Sequence, residues 1–226
     1  MRKEILNLKI YEWIYLIFWM IFISILSFIN NSSIYALISC LFGIVAVIFN
    51  MKGNRFAFIF YSLYALSYGI IAFINHNYGE GILNLFYNFP LYIFTIYKLF
   101  ISKKERKIND KINTLSKKGL IIILIIIPFV TFVYGFILSN IENSNLPYVN
   151  ALATGFAMIS SFLTSRRIKE QWYFWILYSF TLIFIWLNSH GERIYLYLNS
   201  FYLISNSIGL YTWLKKDKEN KAIENI

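Results

Sequence analysis

The side chains in this sequence with the most usable chemistry are amides and indoles set in apolar stretches. Asn84 and Asn88 stand four residues apart in Leu83-Asn84-Leu85-Phe86-Tyr87-Asn88-Phe89-Pro90, so on a helix they share one face. Asn199, Tyr202 and Asn206 fall near one face of another apolar helix. Trp172 and Trp175 are three residues apart, with Trp175 about one turn deeper in its segment. An amide offers donors and an acceptor without adding charge, so it can satisfy the hydroxyls or carboxamide of a polar solute. An indole face stacks on a flat heteroaromatic ring, most strongly on a cationic one. The pattern suits the binding of a small, flat, polar molecule. The same residues also have structural uses. Asparagines bridge helices in membrane bundles at about 0.6–2 kcal/mol each, and Trp172, beside a basic turn, suits an interfacial anchor. Tyr61, Ser62 and Tyr178 read as packing residues.

Ionisable groups are expected outside the apolar segments. No Asp, Glu, Lys, Arg or His falls well inside any of them, and Glu80 is expected in a loop, Asn75-His76-Asn77-Tyr78-Gly79-Glu80. Charges within a membrane usually mark ion or proton pathways. Their absence argues against a carboxylate relay and against an acid–base enzyme. His76 and His190 occupy comparable loops, each with Gly-Glu following, but their spacing does not make a metal site. Cys40 is the one cysteine, so no disulfide framework or metal pair is expected. No glycine-rich phosphate loop occurs. Neither a metal nor a cofactor is expected.

The elements that position these groups are long apolar runs. Of the 226 residues 58% are hydrophobic and 14% charged, far from the balance of a soluble domain. Eight segments emerge, roughly Tyr11–Ile29, Ile34–Phe49, Phe56–Ile74, Ile82–Ile101, Gly119–Leu138, Tyr148–Thr164, Trp172–Leu187 and Ile194–Trp213. The runs are continuous rather than alternating, so an all-α integral membrane protein with eight transmembrane helices is expected, not a barrel. Met1-Arg2-Lys3 precedes the first run like a signal peptide. No small-residue cleavage site follows, so the run reads as a retained helix.

The net charge of +10 does not point to nucleic acid, because the basic residues sit between the runs. With eight spans, 20 of the 21 Lys and Arg residues fall on one side, and Arg193 alone on the other. The positive side is cytoplasmic, so both termini are expected there. The loop Ser102–Lys118 then serves topology and meets anionic headgroups of the lipid bilayer. Trp13, Trp172, Trp213 and several tyrosines near span ends suit the headgroup layer.

Two stretches resemble one another. Ala57-Phe58-Ile59-Phe60-Tyr61-Ser62 matches Phe174-Trp175-Ile176-Leu177-Tyr178-Ser179, and each follows a basic turn and precedes an Asn-bearing aromatic helix. The implied unit is three helices, with the fifth span as a linker that keeps both copies in the same orientation. The expected plan is a single membrane domain over 1–226. It comprises an extra N-terminal helix (1–30), a first repeat (34–101), a basic loop and linker helix (102–138), a second repeat (147–214) and a charged tail (215–226).

Four patterns stand out over roughly residues 39–216: Gly79-Glu80, Leu83 to Pro90, Glu170-Gln171-Trp172-Tyr173-Phe174-Trp175, and Asn206-Ser207-Ile208-Gly209-Leu210-Tyr211-Thr212-Trp213. On these the chain resembles the Pnu-type bacterial vitamin transporters, best known for nicotinamide riboside. The resemblance implies a 3+1+3, SWEET-like architecture, with Tyr11–Ile29 as the extra helix some members carry. It implies facilitated-diffusion uptake of a B-type vitamin across the inner membrane, with trapping by cytosolic phosphorylation, and suggests a homotrimer. Members that handle nicotinamide riboside often have Asn four residues after the second Trp, where this chain has Ser179. Many place Gln two residues after the Pro, where this chain has Tyr92. Ser179 and Tyr92 therefore join the candidate substrate contacts. Thiamine, riboflavin or a deoxynucleoside stay open as alternatives to nicotinamide riboside. A membrane subunit that depends on a separate ATPase is the rival of another class.

Overall fold

The computed structural model describes residues 8–100, 112–142, 144–188 and 193–224, with side chains to 219. Helices dominate the described residues. They are α1 (Ile10–Ile29), α2 (Ile34–Met51), α3 (Ala57–Ile74), α4, α5 (Lys117–Ser139), α6 (Pro147–Ser165), α7 (Gln171–Leu187) and α8 (Ile194–Glu224). Helix α4 runs through three continuous pieces: Tyr78–Ile82, a π stretch Leu83–Asn88, and Phe89–Phe100. Local chemistry sets several starts. Ser33 Oγ accepts from Ala36 N, Ser116 Oγ accepts from Gly119 N, and Pro147 opens α6 where a missing N–H costs nothing.

Helix contacts close into a ring, α2–α3–α4–α6–α7–α8 and back to α2. Helices α1 and α5 lie outside it, α1 against α2 and α8, α5 against α6. Only 17% of the apolar window of α1 and of α5 is buried, against 56% for α2 and 50% for α3. Their free faces carry Ile14, Phe18, Ile21 and Ile25, and Leu124, Ile125, Phe129 and Phe132. The polar side chains lie inside the ring: Asn84, Asn88, Ser160, Ser161, Gln171 and Asn206 are all buried. Apolar outside and polar inside is the arrangement lipid demands. Among the described residues, four helices are long and apolar enough on their own to cross a membrane. The chain is an all-α, multi-pass membrane protein.

The basic turns after α2 and α6 are built alike. Gly53 N donates to Asn50 O as Arg167 N donates to Thr164 O; Asn54 N donates to Phe49 O as Ile168 N donates to Leu163 O. Ala57 N donates to Asn54 O as Gln171 N donates to Ile168 O. Gly53 and Arg167 both adopt positive φ, 70° and 54°. The two turns also touch, Arg167 Nη1 donating to Gly53 O at 3.1 Å. The matching bonds pair Ala57 with Gln171, and so Tyr61 with Trp175 and Tyr64 with Tyr178. The register expected from the sequence, Tyr61 with Tyr178, is off by three residues. That slip is close to one turn of helix, which keeps similar faces aligned and so escapes notice in sequence.

Three further expectations need correction. Helix α4 begins at Tyr78, four residues earlier than expected, and takes Glu80 out of the loop into the bundle. Helix α8 continues to Glu224, so most of the expected tail is helical. Trp172 and Trp213 are buried and meet edge to face at 5.8 Å, so neither is a headgroup anchor. Much of the basic loop and the second outer loop, with Ser189, His190, Gly191 and Glu192, lie outside the described residues.

Candidate functional site

The site begins with the break in α4. Phe89 N donates to Asn84 O, five residues back, which is π rather than α spacing. Pro90 follows with no N–H to give, so neither ladder continues through it. Such π stretches are common at functional sites. The widened turn fits because α3 offers Gly69 there: a Cβ at that position would lie 2.7 Å from Leu85 Cγ and 3.3 Å from Asn84 Cβ. Within α4, Asn84 Nδ2 donates to Glu80 O at 2.9 Å, and Asn88 Nδ2 donates to Asn84 Oδ1 at 3.0 Å. Glu80, Asn84 and Asn88 thus form one line of hydrogen bonds along the inner face.

At the centre of the ring is a cavity lined by Val47, Tyr61, Tyr64, Asn84, Asn88, Tyr92, Trp175, Tyr178, Tyr202 and Asn206. Trp175 and Tyr61 present nearly parallel rings, 8° apart in tilt and 6.5 Å between centroids. Tyr61 continues the stack onto Tyr92 at 5.1 Å, and Tyr92 Oη meets Ser161 Oγ at 3.1 Å. The indole is held by a polar chain at the basic end of the ring. Trp175 Nε1 donates to Thr164 Oγ1 at 2.9 Å, Thr164 Oγ1 donates to Gln171 Oε1 at 2.6 Å, and Asn50 Nδ2 donates to the same Gln171 oxygen at 3.3 Å. Asn206 Nδ2 donates to Ser179 Oγ at 3.1 Å.

Five lining groups are left with unused capacity, among them the phenol hydroxyls of Tyr61, Tyr64 and Tyr202. Asn88 Oδ1 and Asn206 Oδ1 are buried and have no hydrogen-bond partner within the protein. Buried acceptors without partners are costly, and sites that bind polar ligands keep them. The wall therefore supplies flat aromatic faces, two neutral amide acceptors and three phenol hydroxyls, without a cation among its lining residues. The free space at the centre is about 30 Å³, room for a water molecule. Ligand pockets run to about 300 Å³ or more, so a vitamin-sized ligand requires the walls to part.

The structure brings Trp175, Asn84, Asn88, Tyr92, Tyr202 and Asn206 to this cavity. Ser179 stands just behind it, bonded to Asn206 and to Trp175 O. Trp172 does not reach it, since its ring lies against Gly209 and Trp213. Asn199 does not line it either, and its Nδ2 donates to Tyr195 O. Tyr61 and Tyr178, expected as packing residues, are lining residues. Ser62 packs as expected, its Oγ donating to Ile59 O. Glu80, expected in a loop, was not among the candidate site residues. It is fully buried, and its Oε2 accepts from Tyr178 Oη at 2.5 Å and from Asn84 Nδ2 at 3.4 Å. Asn77 followed three residues later by Glu80 was the usable signal, because that spacing marks a helix start.

Known proteins carry the same architecture. The crystal structure of the vitamin B3 transporter PnuC matches with a TM-score of 0.81, covering 96% of this chain and 97% of that one at 21% identity, which shows a shared fold. The nicotinamide riboside transporter PnuC of Neisseria mucosa is 22% identical over 202 residues, spanning 85% of this chain and 76% of its own length. The model of the nicotinamide mononucleotide transporter family matches residues 33–215, the span from the start of α2 to just past Trp213 that holds the whole ring. On that match the chain belongs to the nicotinamide mononucleotide transporter family.

Proposed function

We propose that this chain takes up nicotinamide riboside across the bacterial inner membrane by facilitated diffusion. The observation that carries the reading is the central cavity, where the parallel Trp175 and Tyr61 rings stand beside two unpartnered amide oxygens. A pyridinium ring stacks on such faces, and ribose hydroxyls or a carboxamide donate to such acceptors. The riboside is favoured over the mononucleotide because a phosphate needs a cation or a nest of amides. The cavity lining has no cation, and Glu80 beside it repels an anion. Trp175, Tyr61, Asn84, Asn88, Tyr92, Tyr202 and Asn206 contact the substrate, with Ser179 positioning Asn206.

Passive transport follows from the distribution of charge. Among the described buried residues, Glu80 and Asp217 are the only acidic ones, and Asp217 is paired with Lys169 at the basic end. Between them no further carboxylate, histidine or amine is buried among the described residues, so a relay across the ring lacks its middle. Accumulation then depends on phosphorylation of the substrate in the cytosol. The protein itself performs no catalysis in this reading.

The architecture we propose is an extra helix (1–30) followed by parallel three-helix repeats (34–101 and 147–214) around a linker, as in SWEET proteins, with all eight helices spanning the bilayer. The alike turns and the closed ring support it. The basic end is cytoplasmic, with both termini there, by the charge rule. A homotrimer is proposed on family resemblance.

Uptake of labelled nicotinamide riboside into liposomes holding only the purified protein tests the function. Equilibration without a proton or sodium gradient is the expected result, and it rejects dependence on an ATPase partner. Absence of uptake, with uptake of thiamine, riboflavin or a deoxynucleoside instead, reassigns the substrate.

A further inference from the structure

Glu80 is a carboxyl group enclosed in a membrane bundle, without a countercharge among the described residues. It has no exposed surface, its Oε2 is held by Tyr178 Oη and Asn84 Nδ2, and its Oε1 has no partner. The other titratable groups in electrostatic reach are phenols: Tyr178 of α7, Tyr68 of α3 and Tyr134 of α5. Helix α6 faces it with Asn150, which does not titrate, beside Gly79. No Lys, Arg or His pairs with it among the described residues. Isolated carboxylates are expelled from such surroundings unless something repays the desolvation, and in membrane proteins the ones that persist mark function. Both residues that hold Glu80, Tyr178 and Asn84, line the central cavity. A positive charge on a ligand in the cavity therefore faces Glu80 across these two side chains.

We infer that Glu80 is the countercharge of the cavity, through which the protein selects a cationic ring over an uncharged ring of the same shape. The inference deepens the proposed function and rests on it for the identity of the ligand, while the sign of the charge follows from Glu80 alone. Glu80 acts across Tyr178 and Asn84 rather than by contact. A ligand cation so placed stabilises the carboxylate, and the carboxylate stabilises the cation, so binding favours the deprotonated form. Loss of a proton as pH rises then tightens binding of a cation and leaves a neutral ligand unaffected.

The experiment is calorimetry on the detergent-purified protein with nicotinamide riboside and with its uncharged 1,4-dihydro form, between pH 5 and 8. The unmodified protein is expected to bind the cation at least tenfold more tightly, with affinity rising with pH. In Glu80→Gln the side chain can still accept from Tyr178. The preference and the pH dependence should both vanish there, while the dihydro form binds as before. Glu80→Asp should restore part of the preference. An equal loss for both ligands in Glu80→Gln, or a preference that survives the change, overturns the inference and leaves the riboside reading intact. Binding of thiamine in place of the riboside, with the same sensitivity to Glu80→Gln, overturns the riboside and keeps the countercharge. Binding of uncharged nucleosides alone overturns both.

Discussion

Gly53 and Arg167 hold the same left-handed position in two turns made from the same hydrogen bonds, yet the helices after them deliver different groups to the cavity. Where the first unit places Tyr61, the second places Trp175, and the two rings face each other in parallel. Where the first unit has Phe58, the second has Trp172, and neither lines the cavity. The closing helices differ more. Helix α4 is interrupted by a π stretch and carries Glu80, Asn84 and Asn88, whereas α8 runs unbroken from Ile194 to Glu224 and brings Tyr202 and Asn206. One frame thus presents unlike groups to the cavity. The backbone turns repeat because they fix helix spacing, and the divergent side chains suit the proposed ligand, which has no symmetry to match.

The comparison can be broken most severely at Trp172. Its ring is fully buried against Gly209 and Trp213, so Trp172→Ala should cost about 3–5 kcal/mol of stability. Thermal unfolding in detergent measures this, and the protein that remains folded should bind its ligand with unchanged affinity. A large loss of affinity instead would mean that Trp172 faces the ligand in another conformation.

Trp175, three residues on, should behave the opposite way. Trp175→Ala removes one aromatic face and should weaken binding by about 1–3 kcal/mol, read by calorimetry. Tyr61→Ala should weaken it in the same range if the parallel rings act as two plates, while Tyr61→Phe should cost less. Equal affinity in Trp175→Ala and the unmodified protein would remove the stack from the site.

The two turns make a smaller and sharper test. Gly53 has φ of +70° and a Cβ there would lie 2.9 Å from Arg167 Nη2, so Gly53→Ala should destabilise by about 1–2 kcal/mol. Arg167→Gly relieves a similar backbone cost but loses the bond to Gly53 O, and each is worth about 1 kcal/mol. Its melting temperature should therefore stay close to that of the unmodified protein. The smallest effect is expected at Pro90. Pro90→Ala returns an N–H to the helix and favours ordinary α spacing, so stability should rise by at most about 1 kcal/mol while affinity falls a few-fold. Unchanged affinity would show that the π stretch does not set the positions of Asn84 and Asn88.

Much of this was legible in the residues. The apolar runs matched the helices closely, with Ile34–Phe49 observed as Ile34–Met51 and Trp172–Leu187 as Gln171–Leu187. Asn84, Asn88 and Asn206 stood out as candidates because polar groups in an apolar run must find partners inside the protein, and Trp175 stood out by its depth and its place in the family pattern. What failed to show was direction and neighbourhood. Trp172 and Trp175 look alike in sequence, and three residues on a helix point them to different neighbours, one to Gly209 and the other to the cavity. Tyr61 and Tyr178 looked like packing because a buried phenol serves either purpose until its neighbours are known.

The sequence by itself determined the solvent of this protein and the order of its helices, since desolvation of the backbone forces long apolar runs into helices and leaves charge between them. It determined the family too, through residues that sit on the ring. The tertiary structure alone decided that Glu80 lies inside the bundle, that Trp175 rather than Tyr178 is the counterpart of Tyr61, with the two rings parallel, and that two amide oxygens are left without partners at the centre. Each of these depends on which helices become neighbours. Contacts between residues far apart in the chain, such as Tyr178 with Glu80, are set by the packing of whole helices rather than by any local pattern.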